Sequence, residues 1–274
     1  MIELFEQNIR TNDRQSSKGN QLKWATNGYW YKADYTGYEG LAEYMISQLL
    51  KKSTLLEEEY VLYELEEIKY KSMMYHGTKS MDFLEDDWQI ITLERLFKNF
   101  FGESLYKSIY KIEKTEDRMI FLVSQVERMT GLKNYGVYMN KLLTLDALFL
   151  NEDRHTHNIA VLMNGAGKFC YCPIFDNGAG LLSDTTIDYP LEEDAYKMVK
   201  EVEAKTICAS FEEQLDVSEM LYGAHLKFSF TQKDVKNLID TASIYPKEVR
   251  GRVEEIIYAQ MRKYQYLFTT ARKI

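Results

Sequence analysis

Apolar and polar positions alternate first, then recur at helical spacing. Gln21-Leu22-Lys23-Trp24 and the run YWYKAD at 29–34 alternate on either side of a Thr26-Asn27-Gly28 turn, which predicts a β-hairpin. From Tyr38 the period lengthens: Tyr38, Leu41, Met45 and Leu49 recur at spacings of three and four and predict a helix. YVLYELEEI at 60–68 returns to strand, and KSMMYHGTKSMDFL at 71–84 predicts a further strand ending a β-rich region near residue 84. ITLERLFKNFFG at 91–102, the segment around MIFLVSQVERM at 119–129, and YGVYMNKLLTLDALFL at 135–150 then carry helical spacing. So do DVKNLIDTA at 234–242 and VEEIIYAQMRKYQYLF at 253–268, near capping-type Asp and Ser residues. The pattern predicts an α+β chain: a small β-rich part at 1–84 and a larger, mainly helical part at 85–274. Prolines occur at 173, 190 and 246 only, which fits short connections.

The stretch from Leu145 to Leu181 departs from pure scaffolding. Its helical end is followed by the polar run Asn151 to Asn158, then IAVLM and FCYCPIF joined by Asn-Gly-Ala-Gly, a second predicted hairpin. That hairpin has Asn158 before its first strand and Asp176 after its second, so both can meet at one end and hold a metal ion. Asp153 stands five positions before Asn158. Phosphoryl transfer calls for this set: one carboxylate orients the attacking hydroxyl, while an amide oxygen and a second carboxylate hold Mg2+ against nucleotide phosphates. Protein kinases use the same spacing, followed by Asp-Phe-Gly. Here the tripeptide is Asp176-Asn177-Gly178, with the Phe replaced.

On these residues the chain resembles the HipA/CtkA-like bacterial kinases, and Asp153-Arg154-His155-Thr156-His157-Asn158 also matches the Asp-Arg-His-x-x-Asn of phosphoinositide kinases. The resemblance is strongest over residues 140 to 182. It extends more loosely to the strand around Lys32 and to SFEEQL at 210–215. It implies a two-lobed protein-kinase-like fold, with a small N-lobe at 1–84 and a helical C-lobe at 85–274.

Lys32 lies in an alternating strand whose aromatic residues suit a lobe interior, and a lysine there is a natural partner for nucleotide phosphates; Lys23 competes with it. A kinase orients that lysine through a helix glutamate, for which Glu39 and Glu43 are candidates and Glu39 is preferred. The chain has no G-x-G-x-x-G loop; the resembling family uses a Ser-rich segment there, which implies phosphate covering by Ser16, Ser17 and Gly19, with Lys18 beside them, while the residues alone read equally as a solvated surface turn. LLSDTTIDYPLEED at 181–194 occupies the place of an activation segment and reads by default as a polar loop.

Composition narrows the partners. A net charge of −8 argues against a general nucleic-acid surface. The longest apolar runs fall short of a membrane span and the N-terminus lacks a signal-peptide pattern, so a cytoplasmic enzyme is expected. Cys170, Cys172 and Cys208 read as small buried hydrophobes, and His155 as a brace for its loop. The reading is an ATP- and Mg2+-dependent kinase: Asp153 orients or deprotonates the acceptor, Asn158 and Asp176 bind Mg2+, Lys32 holds phosphates, and Arg154 balances nearby negative charge. The resemblance points to Ser or Thr of an unidentified protein, the chain itself included, and leaves room for a regulatory partner. A lipid or small-molecule kinase, an AMP transferase and a nucleotide-binding pseudokinase stay open.

Overall fold

The computed structural model describes residues 1–9 and 21–269; Ser16, Ser17 and Gly19 lie outside the described residues. Five strands make one sheet: β1 (Ile2–Leu4), β2 (Lys23–Thr26), β3 (Tyr29–Ala33), β4 (Tyr63–Tyr70) and β5 (Met73–Met81), in the order β1-β4-β5-β3-β2. β1 runs parallel to β4 and the other pairs are antiparallel. The predicted hairpin is β2–β3. Its loop is Asn27-Gly28, both at positive φ (52° and 76°), the two-residue turn whose twist matches the strands it joins.

Register divides the sheet into two chemically different faces. Trp24 pairs with Tyr31, Ile2 with Ile68 and Leu4 with Tyr70; all but Ile2 form one buried apolar cluster with Ala33, against which the half-buried Ile2 packs. Residues on alternate positions face the other way: Lys23 stands opposite Lys32, and Lys32 opposite Thr78. Helix α1 (Glu39–Leu50) lies over that second face, with Gln48 Nε2 donating to Tyr63 O and Tyr63 N donating to Ser47 Oγ. Its predicted stripe is buried, with Tyr38, Leu41, Met45 and Leu49 at most 1% exposed. The aromatic residues beside Lys32 divide, with Tyr31 buried and Tyr29 exposed at the strand end, while Trp24 on β2 takes the centre of the core.

Next come β6 (Trp88–Thr92), α2 (Leu93–Phe101), α3 (Leu105–Tyr110), α4 (Thr115–Thr130), α5 (Tyr135–Phe149), β7 (Ala160–Asn164) and β8 (Phe169–Tyr171). After them follow α6 (Ala195–Glu201), α7 (Phe211–Tyr222), α8 (Gln232–Thr241) and α9 (Lys247–Lys263). The hairpin read from IAVLM and FCYCPIF is β7–β8, stopped two residues before Pro173, but it is part of a three-stranded sheet, β6-β7-β8. The helical reading of ITLERLFKNFFG is corrected at its start: Ile91 and Thr92 belong to β6, and the helix begins at Leu93. Thr92 is the cap, its hydroxyl accepting from Arg95 N at 3.2 Å. WQIIT is too short to show a period of its own, and its partner strand lies far along the chain, from Trp88↔Asn164 to Thr92↔Ala160.

The chain forms two compact units, neither contiguous in sequence. One comprises Met1–Phe83, Phe175–Val202 and Lys227–Ile274; the other comprises Leu84–Ile174 and Glu203–Leu226. In the first, the five-stranded sheet and α1 are joined by α6, α8 and α9. In the second, α5 packs on α7 and α4, and α2 packs on β6 of the three-stranded sheet. The architecture is the α+β, two-lobed kinase-like class expected from the sequence. Among the described residues no helix is long and apolar enough to cross a membrane.

Candidate active site

In the first unit, Lys32 leaves β3 on the face covered by α1. Its Nζ lies 2.7 Å from Glu43 Oε1 and 2.7 Å from Asp176 Oδ1. Burial by itself would push the lysine pKa down; the Asp176 and Glu43 carboxylates more than offset this and hold it well above its ordinary value. Lys32 is therefore charged. The second oxygen of Glu43, a residue 2% exposed, accepts from Asn177 N at 2.9 Å, so one carboxylate ties the lysine to the Asp-Asn-Gly backbone. Tyr63 completes the cluster: its Oη is 3.5 Å from both Lys32 Nζ and Asp176 N, and its ring centroid lies 5.1 Å from Nζ. Asp176 has φ 60°, a left-handed conformation that Asp tolerates better than most residues.

The preferred glutamate is corrected. Glu39 makes no ion pair with Lys32; its carboxylate accepts from Tyr35 N, Thr36 N, Thr36 Oγ1 and Gly37 N at 2.8 to 3.2 Å. As the first helical residue, Glu39 points back and accepts from the amides of the loop leading into α1, while the helical amide of Gly40 donates to Asp34. Glu43, one turn later on the same helix face, takes the lysine. Asn177, where an ordinary kinase has Phe, is fully buried.

In the second unit, the catalytic-type loop follows α5, which ends with Leu150 at φ 56°. His155 N donates to Asp153 O and Asn158 N to His155 O, folding the loop into tight turns. Asn158 Nδ2 donates to Asp153 O at 2.8 Å and to Asp153 Oδ2 at 2.9 Å. Both amide protons being used, Asn158 Oδ1 is the acceptor left on that side chain. Arg154 faces inward: its Nε is 3.1 Å from Asp146 Oδ2 on α5, the two residues being 1% and 0% exposed, and its Nη1 donates to Asn158 O at 3.3 Å. Burial raises the Asp146 pKa to about 6, with Arg154 pulling against that rise.

Two more side chains brace the loop. Thr206 Oγ1 donates to Arg154 O at 2.6 Å, and Thr156 Oγ1 donates to Glu94 Oε2 at 2.8 Å while Glu94 N donates to Thr156 O. Burial works against the Glu94 charge, but hydrogen bonds from Ser104, Tyr106 N and Thr156 hold its pKa below the ordinary value. His155 Nε2 lies 3.7 Å from Asp153 Oδ1, and its ring meets His157 edge-on. Tyr63, Glu94 and Thr206 carried no signal in the sequence, since each acts through a partner distant in the chain; Asp146 lies only eight positions before Arg154, inside an apolar helix end that did not mark it. None of Cys170, Cys172 and Cys208 is in a disulfide, and the last two are buried.

Among the described residues no group of three or more His, Cys, Asp or Glu side chains is placed to share a metal ion. Mg2+ does not call for one, because it takes one or two carboxylates and draws its other oxygens from water and phosphate. The Asp176 carboxylate, 26% exposed at its side chain, and Asn158 Oδ1 are hard oxygen donors of that kind.

No protein-family model and no curated protein matches the chain. Among solved structures, the Helicobacter pylori proinflammatory kinase CtkA matches with a TM-score of 0.61 and 14% identity, over 96% of this chain and 95% of that one. HipA of Shewanella oneidensis MR-1, from a complex with HipB and operator DNA, matches with a TM-score of 0.41 and 12% identity, over 95% of this chain and 63% of that one. The chain shares the two-lobed, kinase-type fold of the CtkA structure.

Proposed function

We propose that the chain is an ATP- and Mg2+-dependent phosphotransferase that moves the γ-phosphate to a Ser or Thr hydroxyl of a protein, its own chain among the acceptors. The observation that carries the reading is Lys32, bound at once to Glu43 and Asp176 at 2.7 Å. A half-buried lysine fixed by a helix carboxylate is aimed and charged, as phosphate positioning requires. Asp153 accepts or orients the acceptor hydroxyl, its carboxylate held by the Asn158 amide and set beside His155. Asn158 Oδ1 and the Asp176 carboxylate are the donors that would hold Mg2+. When bound, the ion neutralises charge on the phosphates. Arg154, bound to Asp146, keeps the loop in shape rather than meeting substrate.

The Asp-Arg-His-x-x-Asn spelling at 153–158 favours a second reading, in which the acceptor is a phosphoinositide or another small hydroxylic molecule. The intact Asp153, Asn158 and Asp176 weigh against a nucleotide-binding pseudokinase. Intact mass after incubation with ATP and Mg2+ separates these readings. Added phosphate supports self-phosphorylation, and added AMP shows that the nucleotide transfers its other end. An unmodified chain that still consumes ATP when given a lipid or small alcohol supports the second reading. An unmodified chain that consumes none, yet is equally stabilised by ATP with Mg2+ and with chelator, removes the enzyme reading.

A further inference from the structure

The segment after Asp176-Asn177-Gly178 is fastened to the start of α1. Gly37 and Asp184 pair as an isolated antiparallel bridge. Tyr38 N donates to Ser183 O at 3.1 Å and Thr186 N donates to Thr36 O at 2.9 Å. Tyr38 Oη adds a bond to Leu181 O at 2.7 Å. The strands approach so closely that a Cβ at Gly37 would overlap Ser183 O, so glycine is required there. Leu181 and Leu182 are both buried with φ 57°, a conformation that branched residues adopt only when their surroundings impose it. Thr36 to Tyr38 run directly into α1, which carries Glu43. The helix is thus held at its start by this ladder and in its middle by the Glu43–Asn177 bond.

The outer end of the ladder is Thr186. Its residue is exposed, and its Oγ1 donates to Thr36 O at 2.7 Å, duplicating the bond made by its own amide. Thr36 Oγ1 in turn is 2.8 Å from Glu39 Oε1. We propose that Thr186 is a regulatory phosphoacceptor, at which phosphorylation by a serine/threonine protein kinase parts the Thr36–Tyr38 and Ser183–Thr186 ladder and draws Glu43 off Lys32. In the transfer the Oγ1–P bond forms as the bond from the γ-phosphorus to the nucleotide's bridging oxygen breaks. The nucleoside diphosphate leaves and the hydroxyl proton passes to solvent. The product loses the Oγ1 donor, sets acceptor-only oxygens against the Thr36 carbonyl, and brings about two negative charges toward Glu39 in a segment that also holds Asp184 and Asp188. Like charges at a helix start already occupied by a carboxylate open the contact.

The activity arm of the test rests on the phosphotransferase reading; the structural arm does not. Phosphothreonine is installed at 186 and compared with the unmodified chain, with Thr186→Asp as a second carrier of charge and Thr186→Val as a control lacking only the hydroxyl. The readout is hydrogen exchange at the amides of Tyr38, Asn177 and Thr186. Exchange at all three is expected to rise about tenfold or more with phosphate and far less with Val, at unchanged exchange in the β4–β5 amides. Phosphate transfer by the modified chain is expected to fall about tenfold. Unchanged exchange at these amides overturns the proposal whatever the activity. Faster exchange with an unchanged transfer rate overturns the link from Thr186 to Glu43. An unmodified chain that transfers no phosphate overturns the enzyme reading instead, and the exchange comparison still decides the clamp.

Discussion

Glu43 and Lys32 form a 2.7 Å ion pair in which the carboxylate is 2% exposed, while Glu39, one turn earlier on the same helix, serves only the helix start. The two glutamates therefore differ in consequence. Glu43→Gln leaves Lys32 with one carboxylate and weakens the hold on Asn177; transfer should fall by up to about a hundredfold as the lysine loses its aim. Glu39→Gln should cost about 1 kcal/mol of stability and little of the chemistry. Initial rates set beside melting temperatures separate the two, and an equal loss of rate in both variants would place the glutamates in one role.

Lys23 and Lys32 stand opposite each other in the β2–β3 register, so both project to the face covered by α1. Only Lys32 makes the Glu43–Asp176 connection among the ion pairs of the described residues. Lys32→Ala should lower transfer by about a hundredfold and Lys23→Ala by much less. Steady-state kinetics with ATP varied would show the ranking, and a reversed order would reassign the phosphate lysine.

Under the proposed reaction, Asp153→Ala should abolish transfer with nucleotide affinity nearly kept, its carboxylate being assigned to the acceptor hydroxyl; Asp176→Ala should impair both, since it holds Lys32 and is assigned to the metal. Calorimetric titration with a non-hydrolysable ATP analogue and Mg2+, beside single-turnover rates, distinguishes them. Unchanged turnover in the Asp153 variant would remove it from the chemistry.

Asp34 accepts from Gly40 N at 2.6 Å and Tyr245 Oη at 2.7 Å; burial, with the nearby Glu39 charge adding, raises its pKa from 3.8 to about 7. A carboxyl raised in the folded state makes its full contribution to stability below the unfolded pKa and loses it as pH climbs toward the folded one. Stability should therefore fall between about pH 4 and 7 through this group, by at most about 4 kcal/mol. Asp34→Asn can keep both hydrogen bonds without charge, its Oδ1 accepting from Gly40 N and its amide donating to Tyr245. Urea titrations at pH 5 and pH 8 should show the variant gaining on the wild type at the higher pH. A difference that does not change with pH would contradict the assignment.

Arg154 and Asp146 are a buried pair on which the catalytic-type loop hangs. Removing one partner leaves an uncompensated buried charge: Arg154→Met should cost about 3–5 kcal/mol, and adding Asp146→Leu should recover part of it. Chemical denaturation of the two single variants and the double measures the coupling. Additive losses would mean that the pair is not a unit.

The sequence by itself determined the periodic elements and the residue types of the site. Helical and alternating spacing is a local property of the chain, so α1, the β2–β3 hairpin with its Asn27-Gly28 turn, and the β7–β8 hairpin were all legible. The spacing of Asp153, Asn158 and Asp176 was legible for the same reason, being fixed by one loop and one short hairpin. Tertiary structure decided what depends on distant partners. β6 exists because β7 pairs with it, β1 because β4 does, and neither short run carries a period strong enough to announce itself. The choice of Glu43 over Glu39 turned on where α1 begins: the first residue of the helix turns back to the amides of the loop before it, and only the next turn reaches β3. The Thr186–Thr36 ladder likewise arises only when folding sets distant segments against each other, and the burial of the Arg154–Asp146 pair, eight positions apart, is decided by what packs around it, because burial and a shared hydrogen bond belong to neighbours in space.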